Sequence, residues 1–252
     1  MPLYMQALLW GLLAGSALVI GAALASVPRI PQRLIAAIMA FGAGVLISAI
    51  SFELIDVAHK RGGLVSTALG FLFGAAAFTT VNVWISRSGG HHRKRSADHL
   101  QKKSHEGGGL AIAVGALFDG IPESVTIGAG LIADRNVGLV AVAAVFISNL
   151  PEGLSSATGM RKAGRSNFYI FGVWGGIAIA CGIAAMLGNI LLAQADPAIV
   201  AVVLAIAAGA ILAMIVDTMI PEAFDVTHEY AGLVTVTGFL AAFALTKVAE
   251  GH

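Results

Sequence analysis

Charge is scarce in this chain of 252 residues: 12% are Asp, Glu, Lys or Arg, against 58% hydrophobic. A soluble domain carries about 25% charged residues, so a water-covered surface is excluded. Cysteine is almost missing too. The single Cys181 rules out an internal disulfide framework and reads as a small packing residue. No basic residue precedes the first apolar stretch, Met5 to Val27, and that stretch is too long for a signal-peptide core. It is read as a retained span. The apolar stretches also lack the strict alternation of membrane-barrel strands. What remains is an all-α membrane protein, because backbone groups in lipid must bond within their own segment.

Apolar runs of about 20 residues, enough to cross a ~30 Å hydrocarbon core, recur along the whole chain. They predict eight spans, at 5–27, 34–58, 63–86, 110–133, 137–160, 168–194, 197–221 and 229–248. The organisation is therefore residues 1–86 with three spans, a polar loop at 87–109, and residues 110–252 with five spans. Of the 15 basic residues, 11 fall in the loops after spans one, three and five. Positive loops stay inside, which predicts both termini outside the cytoplasm. Paired glycines in "GLLAG", "GFLFG" and "GVWGG" predict close helix approaches.

The 87–109 loop is basic, glycine-bracketed and carries His91, His92, His99 and His105. Two readings stay open. It is a solvated anchor near anionic lipid, or a weak metal-collecting tract.

Against this apolar background, Asp119, Glu123, Glu152 and Asp217 fall inside predicted spans. An acid at mid-span costs about 2.5–3.5 kcal/mol, and no Lys or Arg lies at similar depth. Protons or visiting cations must neutralise them. Asp119 and Glu123 are four apart and share a helix face. Ser148 and Asn149 precede Glu152 by four and three residues and can share its face. Pro122 and Pro151 lack amide protons and release the carbonyls of Phe118 and Ile147 one turn earlier. Carboxylates, an amide, a hydroxyl and bare carbonyls can thus converge as an oxygen-rich cation site. A structural reading, with protonated acids bonded to neighbouring helices, competes with it. Glu222, in a third "IPE", is either an interfacial acid or an exit ligand beside Asp217. Glu53 and Asp56, with His59 behind, form either an outer vestibule or ordinary interfacial polarity.

At these residues the chain resembles the ZIP (zinc/iron-regulated transporter-like) family of metal transporters. The resemblance spans nearly the whole chain and rests on the proline–glutamate motifs of spans four and five. The family's H-N-x-P-E-G reads D-G-I-P-E-S here, so Asp119 stands at the histidine, Gly120 at the asparagine and Glu123 at the glutamate. Its [HQ]-[ND]-x-P-E-G reads S-N-L-P-E-G, matching at Asn149 and Glu152 with Ser148 replacing a stronger ligand. H-E-x-x-P-E reads D-T-M-I-P-E, with Asp217 for histidine, Thr218 for glutamate and Glu222 kept. Cys181 stands where some relatives place an acid.

The resemblance implies an eight-helix ZIP-like bundle, metal movement toward the cytoplasm, a binuclear-type site between spans four and five, and often a homodimer. The metal residues are then Asp119, Glu123, Ser148, Asn149, Glu152, Asp217 and Glu222. The missing histidines favour harder divalent ions such as manganese or iron(II), with zinc still in range. The expected partners are divalent metal ions and the bilayer, with no prosthetic group and no nucleic acid, in a bacterial inner membrane. Two rivals remain: a non-transporting ZIP-like metal sensor, and a proton-coupled carrier of a small solute. Enzymatic chemistry is not expected, since Ser148 and Asn149 have no histidine at similar depth to serve as base.

Overall fold

The structure, a computed structural model, describes residues 1–27, 30–85, 87, 108–133 and 135–250. The four loop histidines lie outside these residues. Among the described residues there is no strand. The helices are α1 (Leu3–Leu24), α2 (Gln32–Ala49), α3 (Ile55–Ile85), α4 (Gly108–Ala133), α5 (Arg135–Lys162), α6 (Asn167–Leu192), α7 (Pro197–Met214), α8 (Ile220–Thr227) and α9 (Ala231–Glu250). A π turn, Ile50–Leu54, joins α2 to α3, and a second, Ile215–Met219, joins α7 to α8. Gly63, at φ 74°, interrupts α3, a backbone that only glycine takes without cost.

Among the described residues, six helical stretches are long and apolar enough to cross a bilayer, and two of them, Gln32–Ile85 and Pro197–Val248, run to 54 and 52 residues. Large apolar side chains such as Leu64, Leu72, Phe168, Leu191 and Leu233 are exposed along them. Such a surface suits lipid and not water. The chain is an integral membrane protein.

Several ends follow directly from local chemistry. α5 closes with Gly164 at φ 79°, the Arg165 N–H bonding the Met160 carbonyl and the Gly164 N–H bonding the Arg161 carbonyl. This is the glycine-terminated helix stop. Ser166 then caps α6 by accepting from the Tyr169 N–H, and Asp196 caps α7 by accepting from the Ala198 N–H, with Pro197 at the first position. Two arginines finish helices from outside. The Arg61 guanidinium donates to the Ala133 carbonyl at the end of α4, and that of Arg161 donates to the Ala22 carbonyl at the end of α1. Cations there complement the negative end of the helix dipole.

Helices α1, α4, α5 and α6 pack on one another, while α3 lies along α7, and α2 lies along α8 and α9. The two groups meet where α2 touches α5 and α4 touches α7. Glycines set the closest approaches. A Cβ on Gly21 would stand 2.3 Å from the Leu150 carbonyl oxygen, and one on Gly153 would stand 2.2 Å from that of Leu18. Of the paired glycines, Gly11 and Gly15 press on α6, and Gly70 and Gly74 on α7. "GVWGG" departs from expectation: Gly172 and Gly176 have no neighbour within 4 Å of a built Cβ. That face of α6 meets no other helix among the described residues, so the pair sets no approach here.

Candidate functional site

The proline–glutamate segments sit mid-way along α4 and α5, and both helices run through their prolines unbroken. The polar residues that were expected to converge are deeply buried. Asp119 and Glu123 are 1% exposed, Ser148 1%, Asn149 2% and Glu152 3%. Ser148 links the two helices, its Oγ lying 3.4 Å from Glu123 Oε1 and 3.0 Å from the Val145 carbonyl oxygen of its own helix. Ser148 thereby brings a hydroxyl of α5 to a carboxylate of α4.

Helix α2 backs this seam. Gly42 approaches α5 so closely that a Cβ there would stand 3.2 Å from Ser148 Cα, 3.5 Å from Pro151 Cγ and 3.6 Å from the Ile147 carbonyl oxygen. That carbonyl is one of the two released by proline. On the opposite side lies α1, where the Asn149 Nδ2 donates to the Ala14 carbonyl oxygen at 3.1 Å. The amide is thereby tied to α1, which had no place in the expected site.

Helix α6 supplies Cys181, buried with its Sγ 3.9 Å from the Gly120 carbonyl oxygen. The thiol lies beside Ser124 and within the electrostatic reach of both Glu123 and Glu152. It belongs to the buried apolar cluster that includes Leu18, Trp174 and Ile177, as a small packing residue would. Gly120 has a steric reason to be glycine: a Cβ there would come within 2.9 Å of Cys181 Sγ.

The third motif divides. Glu222, on α8, is buried and accepts a hydrogen bond from Ser155 Oγ of α5 at 3.0 Å. It is not an exposed interfacial acid. Asp217 is exposed and lies 3.5 Å from the Asn82 amide nitrogen of α3. The two acids are not side by side, for a plain geometric reason. Five helical residues advance about 140° beyond a full turn, and the π turn that contains Asp217 alters the phase further. Thr218 spends its hydroxyl on the Met214 carbonyl of its own helix.

At the other end, Glu53 is buried in the first π turn, whereas Asp56 is half exposed and pairs with Lys60 at 2.6 Å. His59 is exposed. Only Glu53 turns inward. Thr126 of α4 and Ala141 and Val145 of α5 lie around it in a narrow, mostly apolar space.

No protein-family model matches the chain, and no curated protein matches it significantly. Among the described residues, no group of three or more His, Cys, Asp or Glu side chains lies close enough together to hold a metal ion. The polar cluster is instead spread along the α4–α5 seam, with neutral oxygens between the acids. Sequence reasoning missed three contributors to it: Ser124, Ser155 and the Ala14 carbonyl. The serines had a signal in the strings "IPES" and "EGLSS", where small hydroxyls follow each glutamate inside an apolar helix. The carbonyl had none, because any residue could have supplied it.

Proposed function

We propose that the chain is an eight-span carrier of divalent metal ions, each of the two longest helical stretches crossing the bilayer twice, broken at Gly63 and near His228. The fold is then a ZIP-like bundle with both termini outside the cytoplasm. The ion moves along the α4–α5 seam toward the cytoplasm, as cargo and chemically unchanged. Asp119, Glu123 and Glu152 offer charge, Ser148 and Asn149 offer neutral oxygen, and Glu222 takes the ion onward with Ser155. Asp217, which faces Asn82, stands off this path.

One observation carries the reading. Three carboxylates at most 3% exposed lie on adjacent proline-bearing helices, joined by the Ser148–Glu123 contact. Burying three acids costs on the order of 10 kcal/mol on insertion scales if they sit deep. A doubly charged guest is a reason to retain them. The likeness of D-G-I-P-E-S and S-N-L-P-E-G to the ZIP motifs supports the same assignment. All-oxygen donors favour manganese or iron(II) over zinc relative to a histidine site.

A second reading has its own support. With no three His, Cys, Asp or Glu side chains gathered among the described residues, a protein that binds metal weakly and signals without flux fits too. Uptake into vesicles across zinc, manganese, iron(II), cobalt, cadmium and magnesium separates the two. Glu152→Gln is expected to lower uptake at least tenfold, while Asp217→Asn keeps the parental rate. Asp119→His shifts preference toward zinc. Metal binding without uptake by the parent protein would favour the sensor, and parental uptake by the Glu152 variant would refute the site.

A further inference from the structure

Where α8 turns into α9, a cleft of about 650 Å³ opens against the first turns of α2 and α9. Its size lies in the range of sites that hold one small molecule. Its wall is apolar, from Ala37 on α2, Phe224 on α8 and Val234 on α9. Its rim carries Arg33, His228 and Glu229. All three rim side chains are exposed, and neither Arg33 nor Glu229 makes an ion pair among the described residues. The backbone at His228 is held at φ 48°, a region that residues other than glycine rarely occupy.

The position of the cleft matters as much as its lining. Arg33 and Val234 stand in the opening turns of their helices, and Phe224 in the last turn of α8. Helix ends of an integral membrane protein lie at headgroup depth, where aromatic and arginine side chains are enriched. Apolar walls continue from there toward the hydrocarbon. A guanidinium suits a phosphate, which it binds through paired N–H donors. A carboxylate on the same rim suits a cation and would repel a purely anionic headgroup. Opposite charges over an apolar wall complement a zwitterion bearing a phosphate, a primary ammonium and an acyl chain.

We infer that this cleft is a binding site for an amine-bearing zwitterionic phospholipid, with Arg33 on its phosphate, Glu229 on its ammonium and an acyl chain along Ala37 and Val234. The inference rests on membrane character alone and is independent of the transport reading. Such a lipid bridges α2 to the α8–α9 turn. Val226, another cleft residue, is one helical turn beyond Glu222.

The test is lipid retention by the full-length protein in detergent, read by native mass spectrometry with phosphatidylethanolamine, phosphatidylcholine and phosphatidylglycerol at equal concentration. The parent is expected to retain phosphatidylethanolamine over both others. Arg33→Gln lowers that retention about tenfold, in line with loss of a charged hydrogen bond. Glu229→Gln removes the preference over phosphatidylglycerol. Ala37→Phe fills the wall and blocks retention with both charges intact, so a folding defect in one charge variant does not decide the matter. Equal retention by parent and Arg33→Gln overturns the site. So does a parental preference for phosphatidylglycerol, which marks plain anionic-lipid association. Displacement by soluble phosphoethanolamine at matched concentration overturns the acyl-chain contact, and with it the lipid assignment.

Discussion

Replacing Gly153 by alanine is a sharp test of how the seam is built. The added Cβ would stand 2.2 Å from the Leu18 carbonyl oxygen and 2.8 Å from the Leu18 Cα and carbonyl carbon. All three are backbone atoms, so no side chain can swing away. Ordinary contact begins near 3.4 Å, and α1 must retreat from α5 by about 1 Å to reach it. The same displacement takes the Asn149 amide from 3.1 Å toward about 4 Å from the Ala14 carbonyl, beyond hydrogen-bonding range. Overpacking costs about 1–3 kcal/mol, and the lost buried bond adds about 1–3 kcal/mol. Helix propensity returns at most about 1 kcal/mol. For a chain of this length, each kcal/mol moves the melting temperature by about 2–4 °C. Gly153→Ala should therefore melt at least about 2 °C below the parent in detergent. Gly172→Ala is the matched control, with nothing within 4 Å of its Cβ, and should melt at or slightly above the parent. A Gly153 variant as stable as the parent, or a Gly172 variant equally damaged, would refute the packing argument.

The same logic gives two further expectations. Ser155→Ala leaves the buried Glu222 without its 3.0 Å donor; it should cost about 1–3 kcal/mol in thermal unfolding, and Ser155→Thr should recover part of it. Gly120→Ala sets a methyl group 2.9 Å from Cys181 Sγ and should cost about 1–3 kcal/mol. Cys181→Ala removes that sulfur, so the double variant should be more stable than the sum of the two single effects predicts by more than 0.5 kcal/mol. Strict additivity in that cycle would mean the two residues do not touch.

Much of the fold was legible because its signals are local. Gly164, Ser166, Asp196 and Pro197 end or start helices by chemistry confined to a few residues, and they fall where the polar dividers predicted. Burial was legible in part: a carboxylate inside an apolar run is expected to face inward, and Asp119, Glu123 and Glu152 do, while Asp217 does not. Direction around a helix was less legible. Glu222 read either as an interfacial acid or as an exit ligand beside Asp217, yet Asp217 is exposed beside Asn82 and Glu222 is buried beside Ser155. Five helical residues already set them about 140° apart, and Asp217 lies within the π turn at Ile215–Met219. One extra residue per turn rotates all that follows by about 100°, and no residue type announces it. Glu53 and Asp56 part in the same way at Ile50–Leu54. Partner identity was the least legible feature. "GVWGG" has the same pattern as "GLLAG" but finds no helix to meet.

The two glycines nearest the proline–glutamate pairs set how closely neighbouring helices approach the buried acids. Gly120 lets α4 approach Cys181 on α6, and Gly153 lets α5 approach Leu18 on α1. The buried acids Glu123 and Glu152 thus sit close to tight interhelical contacts. Burial to 3% exposure or less strengthens any electrostatic attraction to an entering cation. The same closeness denies an ion a way in, unless α1 or α6 yields. On the proposed reading, access and affinity are then governed by one contact surface. Glycine variants that loosen it should change uptake even though no ligand atom has been touched, and a site whose flux responded only to its carboxylates would have to be reached by some other route.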